Sequence, residues 1–201
     1  MSACVVVLAA GEGARFGGEG KLLAPLDGRA VVAWAVDAAC GSSAPGVVVV
    51  VGARAAAVRA ALAPGRAEVV ECRDWSAGMS ASLRCGVEAA GDVEWAVVVL
   101  ADGPGITPSM IDAVLAAAAD APAEVHAVRP VRDGRPAHPV ALRRPLLERV
   151  GELHGDAGAR DLLRDAVVLE LDASGWPDVG DVDTPEALEA FRAGRCRRGP
   201  A

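Results

Sequence analysis

Blocks of consecutive apolar residues alternate along the chain with alanine-rich stretches in which charges recur every few positions. The run Ala3–Ala9 is unbroken and ends in glycines, the pattern of a parallel strand covered on both faces. Val47–Val51 is five valines between Gly46 and Gly52, and β-branched residues at that density belong inside a sheet. Trp95–Ala101 reads as another long core strand. Ala67–Glu71, nearer an edge, Glu124–Val128 and Val167–Leu171 read as shorter ones. Helices are expected over Ala30–Ala39, Ala53–Leu62, Met79–Ala89, Pro108–Ala119, Pro145–Val150 and Pro185–Ala193. This βαβα order predicts an α/β protein, a three-layer α/β/α fold with a mostly parallel sheet. The segment Arg129–Pro145, rich in arginine and proline, breaks the alternation and is expected to leave the sheet and shape one side of a cleft. No repeat or long linker divides the chain, so residues 1–194 are expected to form one domain, with a frayed basic tail over 195–201.

The 201 residues are 52% hydrophobic, enough to bury a core without a disulfide or metal staple. A net charge of −7 and only 3% aromatic residues argue against nucleic acid as a partner, since that binding rests on phosphate neutralisation and base stacking. The longest apolar run, Ala3 to Ala10, is eight residues. A membrane span needs about 18, and nothing of signal-peptide type is present, so a cytoplasmic protein with no membrane partner is expected. Five cysteines without CxxC spacing read as small buried hydrophobes in a reducing compartment rather than as catalytic thiols.

The candidate chemistry begins in the text LAAGEGARFGGEGKLL, from Leu8 to Leu23. A glycine loop after a buried strand suggests phosphate binding, because amides of small residues approach an anion closely. The dinucleotide pattern GxGxxG fits Gly11 and Gly13 but fails at Phe16. The Walker A pattern fails at Leu22, where Ser or Thr is required, and at Arg15, where the first glycine is required. What remains is a strand, Gly-x-Gly, Arg15, further glycines and Lys21, a loop whose amides and two cations suit a polyphosphate.

Asp102 follows the strand Trp95–Ala101, and in parallel sheets ligands gather at the C-terminal strand ends. A carboxylate there suits a hard cation such as Mg²⁺; a turn aspartate before Pro104 is the plainer alternative. Thr184 and Pro185 form a good helix start, which leaves Asp181 and Asp183 to be explained separately. Ser80 begins another helix, where it serves as a cap or meets an anion. His138 stands alone before Pro139. The absence of HExxH and GxSxG argues against a zinc site and a hydrolase nucleophile.

The ordered set of stretches resembles the MobA-like nucleotidyltransferases and, within them, the molybdenum cofactor cytidylyltransferases (MocA-like). Besides Leu8–Leu23, it comprises Trp75–Leu83, Leu100–Pro104 with Thr107, Ala137–Val140, Gly155–Arg160 and Asp181–Pro185, nearly the whole chain. Gly103, where relatives carry a larger residue, and Ala137, where they often have glycine, depart from the pattern.

The resemblance implies a Rossmann-like nucleotidyltransferase fold and transfer of a cytidylyl group from CTP to the phosphate of a molybdopterin-type acceptor, with release of pyrophosphate and delivery of the product to an apo-molybdoenzyme. It implies nucleotide contacts at Leu8, Ala9, Ala10, Gly11, Gly13, Arg15, Lys21, Gly78, Ser80 and Ser82. Arg15, Lys21 and Asp102 would act in catalysis, with Mg²⁺ on Asp102 and Asp183 and with Asp181 as the reserve ligand. Arg135, His138, Asp156 and Arg160 would meet the acceptor. Alanine at position 10, where guanylyl-transferring relatives commonly have glycine, favours the smaller base of CTP. Two other readings accompany this one: an NAD(P)H-dependent pigment or dye oxidoreductase of the same family, and a nucleotidyltransferase with another phosphorylated acceptor. A carrier that only holds the pterin is a third.

Overall fold

A computed structural model describes residues 1–13, 16–17, 20–63, 65–177 and 179–198, the side chains of 195–198 excepted. Its centre is the strand expected from the longest apolar run. Strand β1 (Ala3–Ala9) lies parallel between β6 (Trp95–Leu100) and β4 (Gly46–Val51). Beyond β4, β5 (Glu68–Glu71) closes one edge. Short strands β2 (Pro25–Leu26) and β3 (Arg29–Ala30) form a separate hairpin.

The other half of the sheet corrects the expectation for residues 129–145. That segment does not leave the sheet. β7 (Ala127–Arg132), β8 (Arg135–Pro136) and β9 (Val140–Arg143) belong to it, and β9 is inserted antiparallel between β6 and β7. β10 (Val168–Asp172) then lies parallel to β7 at the far edge. The full order is β10-β7-β9-β6-β1-β4-β5, with β8 beside β7.

Helices cover both faces. Residues of α1 (Val31–Gly41), α2 (Ala55–Ala61) and α4 (Pro108–Ala119) pack with Val5, Val7 and Ala9. Residues of α3 (Met79–Ala90), α5 (Arg144–Leu147) and α6 (Ala159–Leu162) pack with Cys4 and Val6 on the opposite face. Alternation along β1 thus feeds both layers, which is why its sequence shows no polar face. Helix α7 (Pro185–Arg198) continues through residues 195–198, part of the expected frayed tail; 199–201 lie outside the described residues. No helix among the described residues is long and apolar enough to cross a membrane.

Cys4 and Cys72 are buried, and Cys40 and Cys85 half-buried, all as free thiols. Burial pushes the Cys4 and Cys85 thiols up to about 11, the opposite of what a nucleophilic thiolate needs.

Candidate nucleotide and metal site

The C-terminal ends of β1 and β6 open onto a cavity of about 330 Å³ lined by Leu8, Ala10, Gly11, Lys21, Gly78, Ser82, Asp102 and Asp156. Glu12, Leu22, Trp75, Ser76, Met79 and Leu100 complete its wall. None of these six is among the expected contact residues, although all lie in the stretches Leu8–Leu23, Trp75–Leu83 and Leu100–Pro104. Met79 is 42% exposed, an unusual position for a large apolar side chain and a usable signal of a ligand surface.

Each wall has a local cause. The β1 strand ends at Ala9, and Ala53 N–H donates to Ala10 C=O at 3.0 Å, which ties the first loop to the segment after β4. Gly78 precedes α3 with φ of 106°, and a Cβ there would stand 2.3 Å from the Gly155 backbone. Only glycine fits both conditions. Ser80 N–H then donates to Gly155 C=O at 3.0 Å, which fixes the start of α3 against the loop that carries Asp156.

Lys21, in a short 3₁₀ turn (Lys21–Leu23), lines the cavity. Its Nζ donates to Asp102 and, at 2.7 Å, to Asp183 Oδ1. The aspartates are held together by the backbone: Val182 N–H donates to Asp102 C=O at 3.1 Å. Burial works against the Lys21 charge, yet the two aspartates outweigh it and hold the ammonium above its ordinary pKa.

Asp181 takes a different place. It lines a second cavity of about 190 Å³ with His138, Arg132 and Trp176. Burial first, and then the charge of Asp102, pushes the Asp181 carboxyl up. Burial pushes the His138 imidazole below its ordinary value, although Asp181 and Asp102 pull the other way. The half-buried His138 ring is thus biased toward its neutral form.

The remaining expected site residues divide. Ala9 faces the opposite layer, because alternation along β1 turns it away from the cavity. Gly13 has φ of 64° and lies against Lys21 rather than in the cavity wall. Ser80 is buried beside a separate surface cavity with Asp74, Arg84 and His154. Of the four expected acceptor residues, Asp156 lines the larger cavity and His138 the smaller, while Arg135 and Arg160 are exposed and line neither. Arg15 lies outside the described residues.

The donor set at Lys21 suits a hard divalent ion. Two carboxylates converge on one cation position, and both offer oxygen. Among the described residues no group of three or more His, Cys, Asp or Glu could hold a metal. A fit therefore exists only for an ion that keeps waters and accepts substrate phosphates, as Mg²⁺ does.

Residues 5–172 match the MobA-like NTP transferase domain. The chain belongs to the MobA-like NTP transferase family. It is 35% identical over 194 residues to a nicotine blue oxidoreductase of Paenarthrobacter nicotinovorans, covering 91% of this chain and 93% of that one. The manganese complex of Rv0371c from Mycobacterium tuberculosis superposes with a TM-score of 0.82 at 25% identity, over 97% of this chain and 100% of that one. A nucleotidyl transferase from Methanothermobacter gives a TM-score of 0.82 at 26% identity, over 98% and 99%. These matches agree with the expected mostly parallel α/β nucleotidyltransferase fold.

Proposed function

We propose that the protein transfers a cytidylyl group from CTP to the terminal phosphate of a molybdopterin-type acceptor. The observation that carries this reading is the convergence of Asp102 and Asp183 on Lys21, with Lys21 and Asp102 in the wall of the larger cavity. An ammonium and two carboxylates beside a glycine loop are the parts needed to hold a triphosphate with its metal, and hydride transfer needs none of them.

Ala10, Gly11, Glu12 and Ser82, which line the cavity, would contact the nucleotide. An acceptor phosphate oxygen forms a bond to the α-phosphorus while the bond from that phosphorus to the bridging oxygen breaks, and pyrophosphate leaves. A phosphate monoester is already ionised at neutral pH, so the site needs no strong general base. Its work is to place two anions in line and offset their repulsion. Lys21 neutralises phosphate charge. Asp102 and Asp183 would hold Mg²⁺, which when bound screens the phosphates and polarises the reacting phosphorus.

Pyrophosphate release measured with each of four nucleoside triphosphates, with and without molybdopterin, tests the proposal. Release that requires both CTP and the acceptor supports it. Release from CTP with another phosphorylated acceptor keeps the reaction and changes the substrate. No release from any pair overturns it.

The likeness to nicotine blue oxidoreductase supports a second reading, reduction of a pigment by NAD(P)H. Loss of NAD(P)H absorbance in the presence of a dye, independent of divalent metal, would favour it. The failure of GxGxxG at Phe16 counts against it: Phe16 packs instead against a small cluster with Leu26, Val31 and Leu188.

A further inference from the structure

Lys21 is the only lysine among the 20 lysine and arginine residues of the chain. Every other fixed cation is a guanidinium, and the two groups are not interchangeable. A guanidinium is a planar fork that grips one carboxylate with two hydrogen bonds, whereas an ammonium is a compact point charge on a flexible stem. The one ammonium stands between Asp102 and Asp183, 2.7 Å from Asp183 Oδ1, with its side chain 17% exposed. A compact cation shared by two carboxylate oxygens fills the position, and uses the donors, that a hard divalent ion would use.

The surroundings make an uncompensated pair costly. Glu12 and Asp156 line the same cavity, and the field of Asp102 already reaches Asp181. Without a cation shared between them, the largely buried Asp102 and the half-exposed Asp183 would keep two like charges near one position.

Resting on the reading of Asp102 and Asp183 as the metal-holding pair, we infer that Lys21 is a resident counter-ion that fills their shared position until a divalent ion displaces it, and that the freed ammonium then serves a polyphosphate. Lys21 must leave before the two carboxylates can share the ion, so metal alone binds weakly. A polyphosphate gives the displaced ammonium a new partner, so metal and polyphosphate favour each other's binding reciprocally. An arginine at position 21 would keep its grip on one carboxylate and obstruct the exchange.

The single lysine makes the test direct. Protein labelled with ¹⁵N at lysine Nζ gives one ammonium resonance, which is followed during Mg²⁺ titration without nucleotide. The resonance should shift or broaden saturably. In parallel, Mn²⁺ binding is read by electron paramagnetic resonance. Lys21→Met should bind Mn²⁺ about tenfold more tightly than the parent, within the usual range of coupling between sites. Lys21→Arg should bind it no more tightly than the parent. The NMR titration uses the parent alone, so a variant that misfolds does not remove the test. A resonance unmoved while Mn²⁺ binds the parent, or equal Mn²⁺ affinity in parent and Lys21→Met, overturns the inference. No nucleotide is present, so failure of CTP as a substrate would leave this result intact.

Discussion

Gly103 lies directly against Val179: a Cβ on Gly103 would stand 2.7 Å from Val179 Cγ1. Gly105 N–H donates to Val179 C=O at 2.8 Å in the same contact. The space beside Gly103 is therefore filled by the segment before Asp181. Gly103→Ala should cost about 1–3 kcal/mol, the usual range for overpacking. Urea unfolding measures it, and a midpoint equal to the parent's would show that Val179 yields freely. Turnover should fall as well, because Asp102 precedes this glycine and supports Val182 through its carbonyl.

Asp102→Asn should lower kcat by on the order of 100-fold, comparable with the loss of one preorganised electrostatic contact. The fold should survive, since Lys21 keeps Asp183 as a partner. Steady-state pyrophosphate release and circular dichroism check both halves. Parent-like Mg²⁺-dependent turnover would falsify the role of Asp102.

Lys21→Ala should weaken nucleotide binding or turnover by about 2–4 kcal/mol, the range for a charge-assisted contact in a site shielded from water. Isothermal titration with a non-hydrolysable CTP analogue reads the binding part. An unchanged affinity and rate together would make Lys21 purely structural.

His138 gives a pH dependence of known sign. Its folded pKa lies below the ordinary 6.5, so below that pH the unfolded chain takes up a proton that the folded protein refuses. Stability is therefore lost as pH falls through 6.5, and the loss levels off only below the depressed folded value. His138→Gln should flatten this part of the curve of unfolding free energy against pH. A curve with the parent's slope between pH 7 and 5 would assign the acid sensitivity to other groups.

The cytidylyl reading makes a prediction at position 10. Ala10 lines the larger cavity yet is only 2% exposed, and a Cβ on Gly52 would lie 2.8 Å from its methyl. The Ala10 methyl is thus packed close against Gly52. CTP should be preferred over GTP by about 10- to 200-fold in kcat/KM, the value of a misfit of one methyl, and Ala10→Gly should narrow that ratio. Competition kinetics decide it, and equal use of the two nucleotides would remove the cytidylyl assignment.

The buried half of the molecule was legible because its strands are continuous apolar runs. Ala3–Ala9 and the valines 47–51 are strands at the expected places. Residues 129–145 were not legible, because prolines and arginines mask β7 and β9. Pro130 is accommodated since it needs only its carbonyl, which accepts from Ala137 N–H at 2.8 Å. That Asp102 stands at a strand end in the cavity wall could be read from position; the choice between a cation ligand and a turn aspartate could not. That Asp183, and not Asp181, shares Lys21 could not: alternation points both the same way, and only the chain's path after Gly180 separates them.

The antiparallel insertion of β9 also sets a constraint on how the chain is made. β1, β4, β5 and β6 all precede it in sequence, so during synthesis the apolar edge of β6 stays open until Val140 has been added. β7 emerges earlier but cannot close that edge, because its place in the finished sheet is one strand further out. A nascent or truncated chain that stops between Leu100 and Val140 thus presents an unpaired valine-rich strand, the kind of surface that templates pairing with another copy. The same stretch supplies His138 and the wall of the smaller cavity, so that cavity cannot exist before the edge is sealed.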